Sequence, residues 1–167
     1  MKTNFERMIA LADQVFASRQ DPAQLDVNDE VLERLQRMHP AAVSEWDDGQ
    51  GPVAWVLLIP TTSALMEDFL CGRITERELF DRTPEGIRYD ALYLCSALVL
   101  EEYRRQGIAG RLTMDALARI RLEHPIRTLF VWTFSPEGKA AAEALAHRTG
   151  LPLRSRIASA APDEGNQ

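Results

Sequence analysis

Residues 91–120, ALYLCSALVLEEYRRQGIAGRLTMDALARI, constrain the fold of this chain more than any other stretch. Ala91 to Leu100 is apolar almost throughout, as expected of a strand covered on both faces. It runs into Tyr103 to Leu112, YRRQGIAGRL. The helical repeat that follows, from about Gln106 to Leu122, puts Ile108, Leu112, Ala116 and Ile120 on one packing face. Gly107 lets the backbone turn without a Cβ, and Ala109 and Gly110 keep the side chains small. The first N–H groups of the helix have no acceptor within it. With the helix dipole behind them they form a site for a phosphate or pyrophosphate. Arg104, Arg105 and Arg111 add positive charge around that site.

The loop is not a P-loop, because no Gly-Lys-Ser/Thr ending follows it. A dinucleotide fold fits poorly: its three glycines do not match, and the strand comes mid-chain, after two helices and a hairpin. The string Arg104-x-x-Gly107-x-Ala109 resembles motif A of the GNAT N-acetyltransferase superfamily, Gln/Arg-x-x-Gly-x-Gly/Ala. The resemblance extends to Val99, Tyr103-Arg104, Gly107-Ile108-Ala109 and Leu112. It continues through a second strand and helix ending in Gly150-Leu151, where the family commonly has Gly-Phe. It is specific from Leu92 to Gly150 and one of element order before that.

This resemblance implies an α/β (α+β) fold. Its central sheet is mixed and mostly antiparallel, is flanked by helices and has splayed parallel central strands. It also implies binding of acetyl-CoA as acyl donor and direct transfer of the acyl group to an amine. In the family the pantetheine arm lies between the splayed strands. Leu98, Val99 and Leu100 would then bind the arm through the backbone, with an N–H near Val99 facing the thioester carbonyl. Arg104, Arg105, Gln106, Gly107, Ile108, Ala109, Gly110 and Arg111 would surround the pyrophosphate, and Ser135 would lie beside the arm. The acceptor would be a small-molecule or peptide amine. The family often forms dimers, so a homodimer is among its implications, although no stretch of the sequence locates an interface.

Composition narrows the rest. The chain has 167 residues, 46% of them hydrophobic and 26% charged, which suits one domain with a full core. Residues 1–158 read as that domain, with a helical insertion at about 61–90, and residues 159–167 as a disordered tail. The net charge is -6 and no Lys/Arg block is present, so nucleic acid is not an expected partner. No apolar run approaches ~20 residues, so no membrane span is expected. The N-terminal residues are amphipathic rather than leader-like, which reads as a cytoplasmic protein. Cys71 and Cys95 make no disulfide framework, and Cys95 reads as a buried reduced thiol. No Cys/His/Asp/Glu cluster has metal-ligand spacing, so no metal is expected.

Taken in order, Phe5, Met8, Ile9, Ala12, Val15 and Phe16 give a helix with one apolar face. Asn28 caps a second helix that places Val31, Leu32, Leu35 and Met38 inward, with Pro40 helping to stop it. Ala42 to Trp46 and Pro52 to Ile59 form a hairpin around an Asp/Gly turn, which Pro60 to Ser63 ends. Leu65, Met66, Phe69 and Leu70 make a short helix stopping at Gly72. Thr75-x-x-Glu78 is a capping box for another. Three roles are open to this insertion: a wall of the acceptor pocket, a cap on the sheet, or a dimer contact. Thr128 to Phe134 is a strand. Ser135 caps a helix from Pro136 to Arg148, ended by Gly150, and Leu151 to Ile157 is a short last strand.

An amine near pKa 10.4 must lose its proton to attack a thioester. Many family members place a Tyr acid four residues before the last helix's Gly, where this chain has Ala146. Histone-type members place a Glu base seven residues before the motif-A Val, where it has Leu92. The substitutes on offer are Tyr93, Cys95 or Ser96 on the strand, Glu67 or Asp68 in the insertion, and Glu101 or Glu102 after the strand. Each also has an ordinary structural or surface role to fill. His39, His124 and His147 read as surface residues. The two missing side chains make a non-catalytic CoA- or acyl-CoA-binding protein of the same fold the alternative to an enzyme.

Overall fold

The computed structural model describes residues 1–17, 24–133 and 135–157. The chain runs α1 (Asn4–Ala17), α2 (Asp29–Met38), β1 (Val43–Asp47), β2 (Pro52–Thr61), α3 (Ser63–Leu70) and α4 (Glu76–Arg82). It continues with β3 (Ala91–Val99), α5 (Ile108–Arg121), β4 (Thr128–Thr133), α6 (Pro136–Thr149) and β5 (Leu153–Ile157). Short 3₁₀ turns lie at Pro40–Ala42 and Glu101–Tyr103. The tail expected at 159–167 lies outside the described residues.

The five strands form one mixed sheet in the order β1-β2-β3-β4-β5. β1, β2 and β3 are antiparallel, whereas β3, β4 and β5 are parallel. The antiparallel β2–β3 ladder is the longest and the parallel β3–β4 ladder the shortest. β3 pairs with β4 only at Ala91, Leu92 and Tyr93, opposite Thr128, Leu129 and Phe130. Among the described residues no β3–β4 pair follows. The register between β2 and β3 shifts between Leu57 and Leu58, which face Ser96 and Leu94, so Cys95 is an extra, bulged residue. A bulge bends and twists its strand, and the separation of β3 from β4 begins here. Cys95 is consequently half-buried rather than enclosed.

Local chemistry sets most element ends. Asn28 Oδ1 accepts from the Val31 N–H at 2.9 Å. The Thr75–Glu78 capping box forms in full. Ser135 Oγ accepts from the Gly138 N–H at 3.1 Å, and Gly150 closes α6 at φ 71°. Pro60 does not end β2 as expected; the strand runs on to Thr61. The Thr61 carbonyl faces β3, accepting from the Asp90 N–H at 3.1 Å. Backbone groups alternate along a strand, so Pro60 turns to the β1 side. There β1 has already ended, with Val43 opposite Leu57, and a missing N–H costs no ladder bond.

Val53 and Ala54, adjacent in β2, point to opposite faces. Val53 joins Met8, Leu98 and Leu100 under α1. Ala54 belongs to the main core with Ile108, Leu112, Ala116 and Ile120 of α5. The expected apolar face of α1 is only partly used: Met8 is fully buried, but Phe5 and Ile9 remain 56% and 42% exposed. Met8 with Leu11, Ala12 and Val15 form the stripe of this helix that packs into the small core beneath it, and Phe5 meets the Trp55 ring of β2 edge-on at 6.2 Å from its exposed position.

α3 and α4 cover the sheet on the Tyr93 side. Phe69 packs its ring against Tyr93, Phe130 and Trp132, with centroids 5.1, 5.9 and 6.0 Å away. The Arg156 guanidinium lies over the Phe69 and Trp132 rings and donates to the Ile74 carbonyl at 3.0 Å. His39 is buried, contrary to the surface role expected of it. Its Nδ1 accepts from the Ala41 N–H at 3.0 Å, and its Nε2 lies 2.5 Å from Glu123 Oε2. His124 is half-buried as well: it accepts from the Tyr89 N–H at 3.2 Å and stacks on the Tyr89 ring.

Phe69→Ala should cost about 3–5 kcal/mol, the usual range for a buried aromatic, read from denaturant midpoints. Burial, and then the neighbouring His39, hold His124 below its ordinary 6.5. The folded chain therefore binds fewer protons than the unfolded one. This contribution to stability is complete above 6.5 and is lost as pH falls through the folded value. The midpoint should drop between pH 7.5 and 5.5, and His124→Asn should shrink that drop; an equal drop in both would refute the assignment.

Candidate functional site

The site grows from the end of β3. The Leu100 N–H donates to the Val53 carbonyl at 2.9 Å. In an antiparallel strand alternate residues bond to alternate sides. Leu98 and Leu100 therefore direct their backbone groups to β2. Their side chains pack beside Met8 and Val53. Val99, opposite Ala54, turns its N–H and C=O the other way, into the gap left by β4. Of the three residues expected to offer backbone groups there, Val99 is the one so placed. Its carbonyl accepts from Arg104 Nε at 2.9 Å.

The loop after β3 is shaped by two left-handed residues, Arg105 at φ 65° and Gly107 at φ 75°. Gly107 is the N-cap of α5 and has no side chain with which to cap. A Cβ built on it meets no protein atom within 4 Å, so conformation rather than crowding calls for glycine. These turns explain why α5 begins at Ile108 and not at Gln106. The Arg111 N–H is the first to join the helical ladder, reaching the Gly107 carbonyl at 3.0 Å. The N–H groups of Ile108, Ala109 and Gly110 precede it and converge at the helix start. At Gly110 an added Cβ would come within ordinary contact, 3.9 Å, of Arg148 on α6.

The three arginines have different tasks. Arg104 is bonded to Val99. Arg111 donates to the Gln106 carbonyl at 3.2 Å and lies over the Trp46 ring at 5.4 Å, so it braces the loop from beneath. Gln106 Nε2 adds a bond to the Glu102 carbonyl at 3.0 Å. Among the described residues the Arg105 guanidinium has no hydrogen-bond partner.

The turn before the loop is clamped from two sides. Arg7 on α1 grips Glu102 through its two terminal guanidinium nitrogens, at 2.5 and 2.7 Å. The Tyr103 hydroxyl donates to Asp48 in the β1–β2 hairpin, and Asn4 donates to the same carboxylate at 3.1 Å. Arg7 holds Glu102 below the usual carboxylate range, and Tyr103 does the same to Asp48. In return the Asp48 bond raises the Tyr103 phenol. Chain separation hid this clamp: Asn4 and Arg7 lie far from Asp48 and Glu102 in sequence.

The candidate acid–base residues are scattered. Tyr93 is fully buried at the last β3–β4 pair, and its hydroxyl donates to Glu76, itself only 2% exposed. Glu76 also accepts from the Leu25 N–H at 2.6 Å. Sequence reading passed over Glu76 because a first-turn glutamate ordinarily faces water. Glu67 is exposed and paired with Arg154 on β5, and Asp68 is paired with Arg73. Ser96 lies half-buried on β3 beyond the bulge, beside the gap. Ser135 caps α6 at the end of β4, and its hydroxyl is engaged by Gly138. Ala146 packs against the main core, where Leu92 is buried. Among the described residues no group of three His, Cys, Asp or Glu could hold a metal ion. Among the described residues no helix is long and apolar enough to cross a membrane.

A cavity of about 470 Å³ lies elsewhere, between α2 and α4, lined in part by Asn28, Arg34 and Phe80. Arg34 is already bonded to the Phe80 and Thr83 carbonyls there, both at 2.5 Å.

No protein-family model matches this chain, and no curated protein matches it by sequence. Among solved structures it is similar to Naa20 of Chaetomium thermophilum, an N-acetyltransferase determined in complex with a bisubstrate analogue. The match has a TM-score of 0.51 at 14% identity and covers 88% of this chain and 67% of that one. Identity at this level speaks to the fold alone. The five-stranded mixed sheet and its flanking helices match the GNAT type of fold.

If the clamp is built as described, Tyr103→Phe should raise the Asp48 pKa toward the ordinary aspartate value of 3.8. An NMR titration of the Asp48 carboxyl reads this directly. An unchanged midpoint would mean that the bond is absent in solution.

Proposed function

We propose that this chain is an acyltransferase that moves an acetyl or similar acyl group from its CoA thioester directly to an amine. The observation that carries the reading is the strand–loop–helix at Val99 to Gly110. Backbone groups face the gap between parallel strands, and a glycine-turned helix N-terminus stands beside it. A likeness in fold to an N-acetyltransferase supports the same reading.

In this reading the pyrophosphate rests on the N–H groups from Arg105 to Gly110, with Arg105 as the nearest uncommitted cation. The pantetheine arm enters the gap and bonds to Val99, while Ser135 and the start of α6 line the other side. A neutral amine attacks the thioester carbonyl, and the oxyanion is stabilised by the Val99 N–H. The C–S bond then breaks, the thiolate takes up a proton, and the new ammonium loses one to give the amide. Ser96, on the part of β3 that no longer pairs with β4, is the candidate side chain of this reading. Tyr93 would have to act from its buried bond to Glu76, and Glu67 from its ion pair with Arg154. The positions held by Ala146 and Leu92 favour a second reading, in which the chain binds the thioester without turning it over.

Thermal unfolding with acetyl-CoA, NADH and ATP separates these readings from others. Ligand at ~100 times its dissociation constant adds about 2.7 kcal/mol, a shift of several degrees for a domain of this size. A shift with acetyl-CoA alone is the expected result; a shift with NADH or ATP instead would reassign the loop. Gly107→Trp should abolish the acetyl-CoA shift. Gly107→Ala carries the same backbone strain with little bulk and should retain more of it. Amide formation from an amine panel then separates transfer from binding alone.

A further inference from the structure

We propose that Arg104 makes this chain select acyl carriers that bear phosphate over bare acyl-pantetheine, by exchanging the Val99 carbonyl for the phosphate. The inference rests on the acyl-CoA reading above and names a specificity determinant within it.

The geometry sets up a competition. The Val99 carbonyl faces the gap, and it is the acceptor that a pantetheine amide entering there would use. Arg104 Nε already donates to it at 2.9 Å. A guanidinium N–H makes a charge-assisted bond, roughly twice as strong as one from a neutral amide. An amide alone therefore cannot displace it on equal terms. Arg104 also immediately precedes the left-handed Arg105 and stands at the rim of the N–H groups that lead into α5. It is exposed, so its side chain can swing without disturbing the core.

A carrier with a pyrophosphate changes the balance. The guanidinium fork matches phosphate oxygens in a bidentate manner. On arrival of the phosphate, Arg104 gives up one carbonyl bond and gains charge-assisted bonds to the phosphate. The carbonyl it leaves becomes available to the arm. Seating of the arm is thereby linked to phosphate recognition. A thioester without phosphate must instead displace Arg104 with no compensating bond.

The test measures binding of acetyl-CoA and of S-acetyl-pantetheine by calorimetry to the full chain, wild type, Arg104→Ala and Arg105→Ala. Arg104→Ala should weaken acetyl-CoA by roughly tenfold or more, the usual scale for a hydrogen bond to a charged group. The same variant should bind S-acetyl-pantetheine several-fold more tightly than wild type, because the carbonyl is uncovered. Arg105→Ala should weaken acetyl-CoA with no gain for S-acetyl-pantetheine. Melting curves of the exposed-site variants check that the fold is kept. If wild type binds acetyl-CoA and Arg104→Ala shows no gain for S-acetyl-pantetheine, the exchange is wrong and the acyl-CoA reading stands. If wild type binds neither probe, both are wrong.

Discussion

The hydrogen bonds that β3 does not make to β4 are the constraint on which the rest of this structure depends. The ladder stops after Tyr93 and Phe130, next to the bulged Cys95. Backbone polar groups left without partners inside a sheet are costly, so such a gap persists only where something answers them. At Val99 the answer is Arg104, delivered by the loop that follows the same strand. β3 and β4 are parallel and end at the same edge of the sheet. The helices that follow them, α5 and α6, therefore both begin at the mouth of the gap. The gap and the two helix N-termini are one consequence of one topology.

The surrounding structure holds that arrangement open. On one side α1 and the β1–β2 hairpin grip the turn at Glu101–Tyr103 through Arg7, Asn4 and Asp48. Beneath the loop, Arg111 is pinned by the Gln106 carbonyl and by Trp46. At the closed end of the gap, α3 and α4 press Phe69 against three aromatic rings, and the buried Glu76 ties Tyr93 to Leu25. Exposed pairs such as Arg7–Glu102 contribute little to stability on their own. Here they set the direction of the chain entering the loop.

Local signals were legible wherever a single residue decides a backbone state. The Asn28 cap, the Thr75–Glu78 box, the Ser135 cap and the Gly107 turn were all readable, because each bond closes within about one helical turn. The packing face of α5 was equally clear from its spacing. The errors have a common cause. Phe5 and Ile9 looked inward by period, but period alone does not say how wide a stripe the sheet will cover. His39 and His124 looked like surface residues because their partners, Glu123 and Tyr89, are brought to them by the fold. Pro60 looked like a strand end because pairing order, unknown in advance, decides whether its missing N–H matters.

By itself the sequence determined the element order, the capped helix ends and a strand–turn–helix whose glycine frees the N–H groups at the start of α5. These depend on residues within a few positions of one another, and steric and capping rules act at that range. Only the tertiary structure decided that β3 separates from β4 after Tyr93. It alone turned Val99 toward the gap with Arg104 on its carbonyl, and it alone buried Tyr93 against Glu76. Each of these depends on register and pairing between segments distant in the chain. A shift of one residue reverses which side every backbone group and side chain faces, and no local pattern records that choice.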